Sequence, residues 1–107
     1  MIAEILQQTG IRFRHSRFLK PPAGTYAVWT DDIETDGADN GAAAVFTHNY
    51  SVEIYEDAPD DAAEFAMESA LDAVGILYSK EDRYWLQDEQ RYQVVYDFSI
   101  TTKEREP

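Results

Sequence analysis

The run Val45-Phe46-Thr47-His48-Asn49-Tyr50-Ser51-Val52-Glu53-Ile54-Tyr55 leads, a few residues on, into Pro59-Asp60-Asp61, and the fold follows from this junction. Phe46, Tyr50, Val52 and Ile54 share one pleat face, and Thr47, Asn49, Ser51 and Glu53 share the other. Alternation of period two over this length predicts a strand with one buried face. Proline suits the first turn of a helix and carboxylates suit its positive dipole end, so a helix opens at residues 59–61. Ala63, Ala66, Met67, Ala70, Leu71 and Val74 recur at helical spacing, a stripe able to lie on the apolar face of the strand. Gly75 supplies the stop.

Working outward, Ile2, Ile5, Leu6 and Thr9 precede Gly10 at helical spacing and predict a short amphipathic helix over residues 2–9. Ile11-Arg12-Phe13-Arg14-His15 alternates apolar and basic residues, a short strand with Ile11 and Phe13 inward and the basic side chains on one outward face. Pro21-Pro22-Ala23-Gly24 is an extended connector. Thr25 to Thr30 returns to strand, with Tyr26 and Val28 on one face and Ala27 and Trp29 on the other. Apolar groups on both faces fit a central strand or one whose second face meets a partner. Asp31 to Gly41 reads as an acidic loop closing a long hairpin, with Ile33 as its one apolar residue outside the alanines and glycines. After Gly75, residues 77–87 are extended, with Lys80-Glu81-Asp82 interrupting. Residues 88–91 make a polar turn, and Tyr92, Val94, Tyr96, Phe98 and Ile100 alternate along a last strand. Residues 101–107 are a polar tail expected to fray. The expected architecture is one α+β domain over residues 1–107, in the order α-β-β-β-α-β-β, with two helices packed on one face of an antiparallel sheet.

Composition narrows the function classes. A hydrophobic fraction of 44% supports a packed core, and the absence of cysteine excludes disulfide and thiolate-metal frameworks. The start of the chain lacks the basic and long apolar segments of a signal peptide, and no run approaches a membrane span, so a cytoplasmic site of synthesis and no membrane contact are expected. A net charge of −12 argues against ordinary binding to nucleic acid. Arg12, Arg14, Arg17 and Lys20 form a basic cluster free of acids, and no lysine or arginine occurs between Lys20 and Lys80. That gap carries Asp31, Asp32, Glu34, Asp36 and Asp39 in the hairpin and Glu53, Glu56, Asp57, Asp60, Asp61, Glu64, Glu68 and Asp72 beyond it. Charge segregated in this way lets copies pair head to tail, while plain solubility remains the simpler alternative.

Catalytic and metal motifs are sparse. Asp32-Ile33-Glu34-Thr35-Asp36-Gly37 imitates the start of a calcium loop, but the twelfth position holds Ala43 instead of glutamate, so no calcium site is expected. His15 and His48 stand apart from other ligands and read as strand residues with hydrogen-bond partners. No nucleophile elbow or phosphate loop occurs, so no enzymatic activity, cofactor or metal is expected. Phe65 points away from the α-helical stripe, toward the face of Glu68 and Asp72, and marks a candidate interface, although single surface aromatics are ordinary. Trp29 carries the same two readings, interface or core, with core the favoured one.

In order and spacing, the chain resembles the small tail terminator, or tail completion, proteins of long-tailed phages and prophages. The resemblance is carried by Pro21-Pro22 before an aromatic strand, Ala38-Asp39-Asn40 before the long strand, Asn49 to Tyr55, Ala70-Leu71-Asp72-Ala73-Val74-Gly75-Ile76, and Tyr92 to Phe98. The acidic loop from Asp31 to Gly41 is long and charged for that family. The resemblance implies a ring, generally hexameric, that caps the head-proximal end of the tail tube, stops its growth and docks to the head–tail connector. It implies a place in the virion tail, assembly in the bacterial cytoplasm, and partners limited to itself, the tube protein and the connector. DNA would pass through the lumen without being bound. Arg12, Arg14, Arg17 and Lys20 would then meet the acidic hairpin of a neighbouring copy. Two alternatives stay open: a neck protein such as the connector stopper, and an acidic inhibitor that imitates DNA.

Overall fold

The structure is a computed structural model, and it describes residues 1–36 and 45–102. Its elements are α1 (Ile2–Thr9), β1 (Arg12–His15), β2 (Tyr26–Asp36), β3 (Val45–Glu56), α2 (Asp61–Ala73), β4 (Tyr78–Lys80), β5 (Tyr84–Leu86) and β6 (Arg91–Thr102). They form one six-stranded sheet ordered β1-β2-β3-β6-β4, with β5 also on β6, and both helices lie on one face.

The helix ends are set by local chemistry. Gly10, at φ 74°, closes α1. Asp60 caps α2 by accepting from the Ala63 amide at 3.0 Å, and its other oxygen accepts from the Thr25 hydroxyl at 2.6 Å. At the far end Gly75, at φ 71°, donates to Asp72 O, and Ile76 donates to Leu71 O. That is a Schellman stop, which a residue with a Cβ would strain.

Strand phase decides the core. Trp29 pairs with Val52, which pairs with Tyr96, and Ala27 pairs with Ile54, which pairs with Val94, and this puts these side chains on the helical face. Ile2, Ile5 and Leu6 of α1 and Met67, Ala70 and Leu71 of α2 close over them. The expected helical stripe is rotated at its ends: Glu64 is buried beside Met67 and Leu71, whereas Val74, just past the helix, is 55% exposed.

Several expectations about the sheet are corrected. It is mixed and not wholly antiparallel, because β1 runs parallel to β2 with Phe13 opposite Ala27. The connection through residues 16–25 crosses the sheet face away from the helices, where Phe18 packs edge-on against Tyr26 at 5.2 Å. Tyr26 also stacks on Tyr55 and lies under the Arg91 guanidinium, so the second apolar face of β2 is covered by its own chain. The extended stretch 77–87 is two short strands, separated at residues 81–83, that pair with successive parts of β6. Residues 31–36 are strand and not loop, paired in register with residues 45–50. Thr101 and Thr102 belong to β6, opposite Thr47 and Phe46, and are not part of a frayed tail. Residues 103–107 lie outside the described residues.

Candidate interaction surfaces

Arg12 and Arg14 are held on the face of the sheet away from the helices because β1 alternates, with Phe13 turned inward. Arg17 and Lys20 follow on the connector. Their placement is fixed from both ends. Ser16 N donates to Trp29 O at 2.8 Å, while Arg91 donates to the carbonyls of Gly24 and Pro22, and Asp57 accepts from Gly24 N. Arg12, Arg14 and Lys20 line a hollow of about 510 Å³ with Phe18 and Pro22. Arg14 lies 5.3 Å over the Phe18 ring and donates to Phe13 O. All four cations are exposed, and none meets a carboxylate among the described residues. The contrast is with Lys80, Arg83 and Arg91, each of which has acidic partners within 3 Å. Arg12, Arg14 and Lys20 thus share one surface, with Arg17 on the same connector as Lys20, and the cluster has no acidic partner among the described residues.

The acidic hairpin divides in two. Asp32 and Glu34 lie on the same sheet face as Arg12 and Arg14, by register with Asn49 and Thr47. Asp32 is four residues beyond Val28, the partner of Arg14, or about 13 Å along the strand. Glu34 accepts from Asn49 Nδ2 at 2.9 Å, and Ser99 donates to Asn49 Oδ1 at 2.6 Å, a polar rung across three strands. Asp31 instead faces the helical side and is partly withdrawn from solvent. Ile33 shares that face and is exposed. Asp36 ends β2, and Asp39 lies outside the described residues.

Phe65 is 73% exposed. With Met1, Ile5, Ala66, Ala70 and Val74 it borders a groove of about 680 Å³ between α1 and α2. Ser69 and Ala73 widen the floor because their side chains are short, and Glu4 and Gln8 stand on the α1 side.

The histidines depart from expectation. His48 is 2% exposed and neither ring nitrogen has a hydrogen-bond partner among the described residues; it stacks on Tyr50, with Asp31 Oδ2 at 3.9 Å. His15 stacks on Trp29 with ring centroids 3.9 Å apart, and its Nε2 is 3.6 Å from Asp31 Oδ1. Both rings are stacked, and each has a nitrogen within 4 Å of the Asp31 carboxylate. Trp29 is partly buried against the core. Among the described residues no group of three or more histidine, aspartate or glutamate side chains is arranged to hold a metal ion, and no helix is long and apolar enough to cross a membrane.

No protein-family model matches the sequence, and no curated protein matches it. Among solved structures, a chain of the virion of a native gene transfer agent particle is similar at a TM-score of 0.60 and 18% sequence identity. The match covers 91% of this chain and 82% of that one. The likeness is one of fold.

One cluster escaped the sequence reading. Glu56 and Glu64 are buried side by side, and Arg83, from between β4 and β5, reaches both: Nε to Glu56 Oε1 at 3.3 Å and Nη2 to Glu64 Oε2 at 2.6 Å. Lys80 meets Glu64 and Glu68, and the Tyr96 hydroxyl donates to Glu68 at 2.7 Å. The signal was phase. Glu56 continues the inward even positions of β3, and Glu64 stands three and seven residues before Met67 and Leu71. Burial, then the adjacent Glu64 carboxylate, pushes the Glu56 carboxyl up to about 7. Glu64, although opposed by its own burial, is held below the usual carboxylate range by hydrogen bonds from Glu56, Lys80 and Arg83. A raised carboxyl stabilises the fold fully below its unfolded value of about 4.5 and loses that contribution as pH rises through about 7. Glu56→Gln keeps the neutral hydrogen-bonding form at every pH. It is expected to leave stability at pH 5 nearly unchanged and to raise it at pH 8 by on the order of 2 kcal/mol, as read by urea unfolding at the two pH values. An equal effect at both would refute a protonated Glu56.

Proposed function

We propose that this chain is a structural protein of a phage-like particle and, within that class, a tail terminator that forms a ring at the head-proximal end of the tail tube. The observation that carries the reading is the fold shared with a chain of a gene transfer agent virion along 91% of this sequence. The resemblance of the sequence to tail terminators supports the narrower role. So does the surface: four exposed cations without acidic partners among the described residues at one sheet edge, and exposed acids such as Asp32 further along the same face. A contact of unlike surfaces repeats from copy to copy and closes as a ring, here a hexamer. Its partners are then further copies of itself, the tube protein and the head–tail connector, and its acidic surfaces let DNA slide through the lumen without sticking. No reaction is assigned to it.

Imitation of DNA is the weaker reading, since it needs free acids. Glu56 and Glu64 are buried, and Asp57, Asp61 and Glu68 are already met by Arg91, Arg83 and Lys80. The test is to add the purified chain to its tube protein during polymerisation and measure tube lengths by electron microscopy. Tubes capped at one end and shortened in proportion to added chain are expected. Unaltered growth with no protein at the tube ends would overturn the reading.

A further inference from the structure

We infer that the groove between α1 and α2 receives Leu19 of a second copy of the chain. The inference rests on the homo-oligomeric reading above and names the contact that builds it. Leu19 is 88% exposed, and the connector that carries it is tied down before and after it by the Ser16 amide and by Arg91. A large apolar side chain held out on a pinned loop loses little freedom on docking. The groove offers an apolar lining of Ile5, Phe65, Ala70 and Val74 over a floor of small side chains.

Charge matches on both sides of this contact. Leu19 is flanked by Arg17 and Lys20, which have no acidic partner among the described residues. Neither helix bordering the groove contains a lysine or arginine, and Asp72 is exposed on α2, whereas Glu4 on α1 is met by the Met1 ammonium at 2.6 Å. Cations that bury their stems on an apolar rim and keep their heads near carboxylates fit such a site. The occupant has to be another copy. Phe18 anchors the connector on the sheet face away from the helices, so the sheet separates Leu19 from its own groove. The surface is also continuous with the acidic strand, because Met1 and Val74 border both this groove and the hollow lined by Asp31 and Asp32. Beyond the groove on that same face lies Asp31, whereas the side chains of Asp32 and Glu34 are on the opposite face of the sheet.

The chain has no cysteine, so introduced thiols are unique. Leu19→Cys and Ser69→Cys single variants, mixed and treated with a short bis-maleimide, are expected to give at least tenfold more cross-linked pair than Leu19→Cys mixed with Ser99→Cys. Separately, Leu19→Glu is expected to weaken self-association at least tenfold by light scattering with the melting temperature unchanged. Cross-linking no greater than the Ser99 control, or Ser69→Cys linking chiefly to itself, would overturn the inference. So would undiminished association of Leu19→Glu. If the unmodified chain still forms a closed oligomer in that case, only the contact is wrong. If it also remains monomeric, the homo-oligomeric reading fails with it.

Discussion

Arg83→Ala is expected to lower the unfolding midpoint by about 10 °C. The guanidinium contacts Glu56, Glu64 and Asp61 at 3.3, 2.6 and 2.9 Å, and the first two of these carboxyls are buried. Without it, among the described residues, Glu56 has no cation and Glu64 keeps only Lys80. An isolated ion pair in solvent gives little, but removing one member of a buried cluster leaves a carboxylate that has lost its water and its partner. Glu56→Gln should recover part of the loss, since it removes one of the two stranded acids; the four proteins form a double-mutant cycle read by thermal unfolding. A midpoint shift of under about 3 °C, in the range of an exposed pair, would mean that the cluster is not coupled to folding.

Reversal of Arg12 and Arg14 to glutamate together is expected to weaken self-association about a hundredfold or more at low ionic strength. Both side chains are exposed and have no acidic partner among the described residues, so folding should be little affected. The difference from the unmodified chain should shrink toward 1 M salt, where the screening length falls to about 3 Å. Mixing the reversed chain with Asp32→Lys/Glu34→Lys, neither competent alone, should restore assembly. Unchanged assembly of the reversed chain would remove this surface from the interface.

The sequence discloses what period and punctuation can encode. Val52, Ile54, Val94 and Tyr96 lie where alternation put them, and Gly10 and Gly75 end their helices in left-handed turns. The parallel pairing of β1 depends on a crossover through residues 16–25, and nothing local in Arg12–His15 specifies the direction of its neighbour. Asp31–Asp36 has loop composition, yet it is strand because a ladder with residues 45–50 supplies hydrogen bonds that composition does not reveal. For the surfaces, the clustering of Arg12, Arg14, Arg17 and Lys20 and the outward turn of Phe65 are legible from phase. The withdrawal of Asp31 toward the histidines and the groove beside Phe65 are not, since each depends on how separate elements meet. Glu56 and Glu64 were readable as inward positions; their partner Arg83 was not, because it stands between two three-residue strands.

The most direct measurement is the solution mass by light scattering across concentration and salt. The chain has a mass of 12.2 kDa. A mass that grows with concentration, closes at a hexamer and declines with added salt is expected of a ring built from unlike, oppositely charged surfaces. A mass that stays at one chain throughout, or stops at a salt-indifferent dimer, would contradict it.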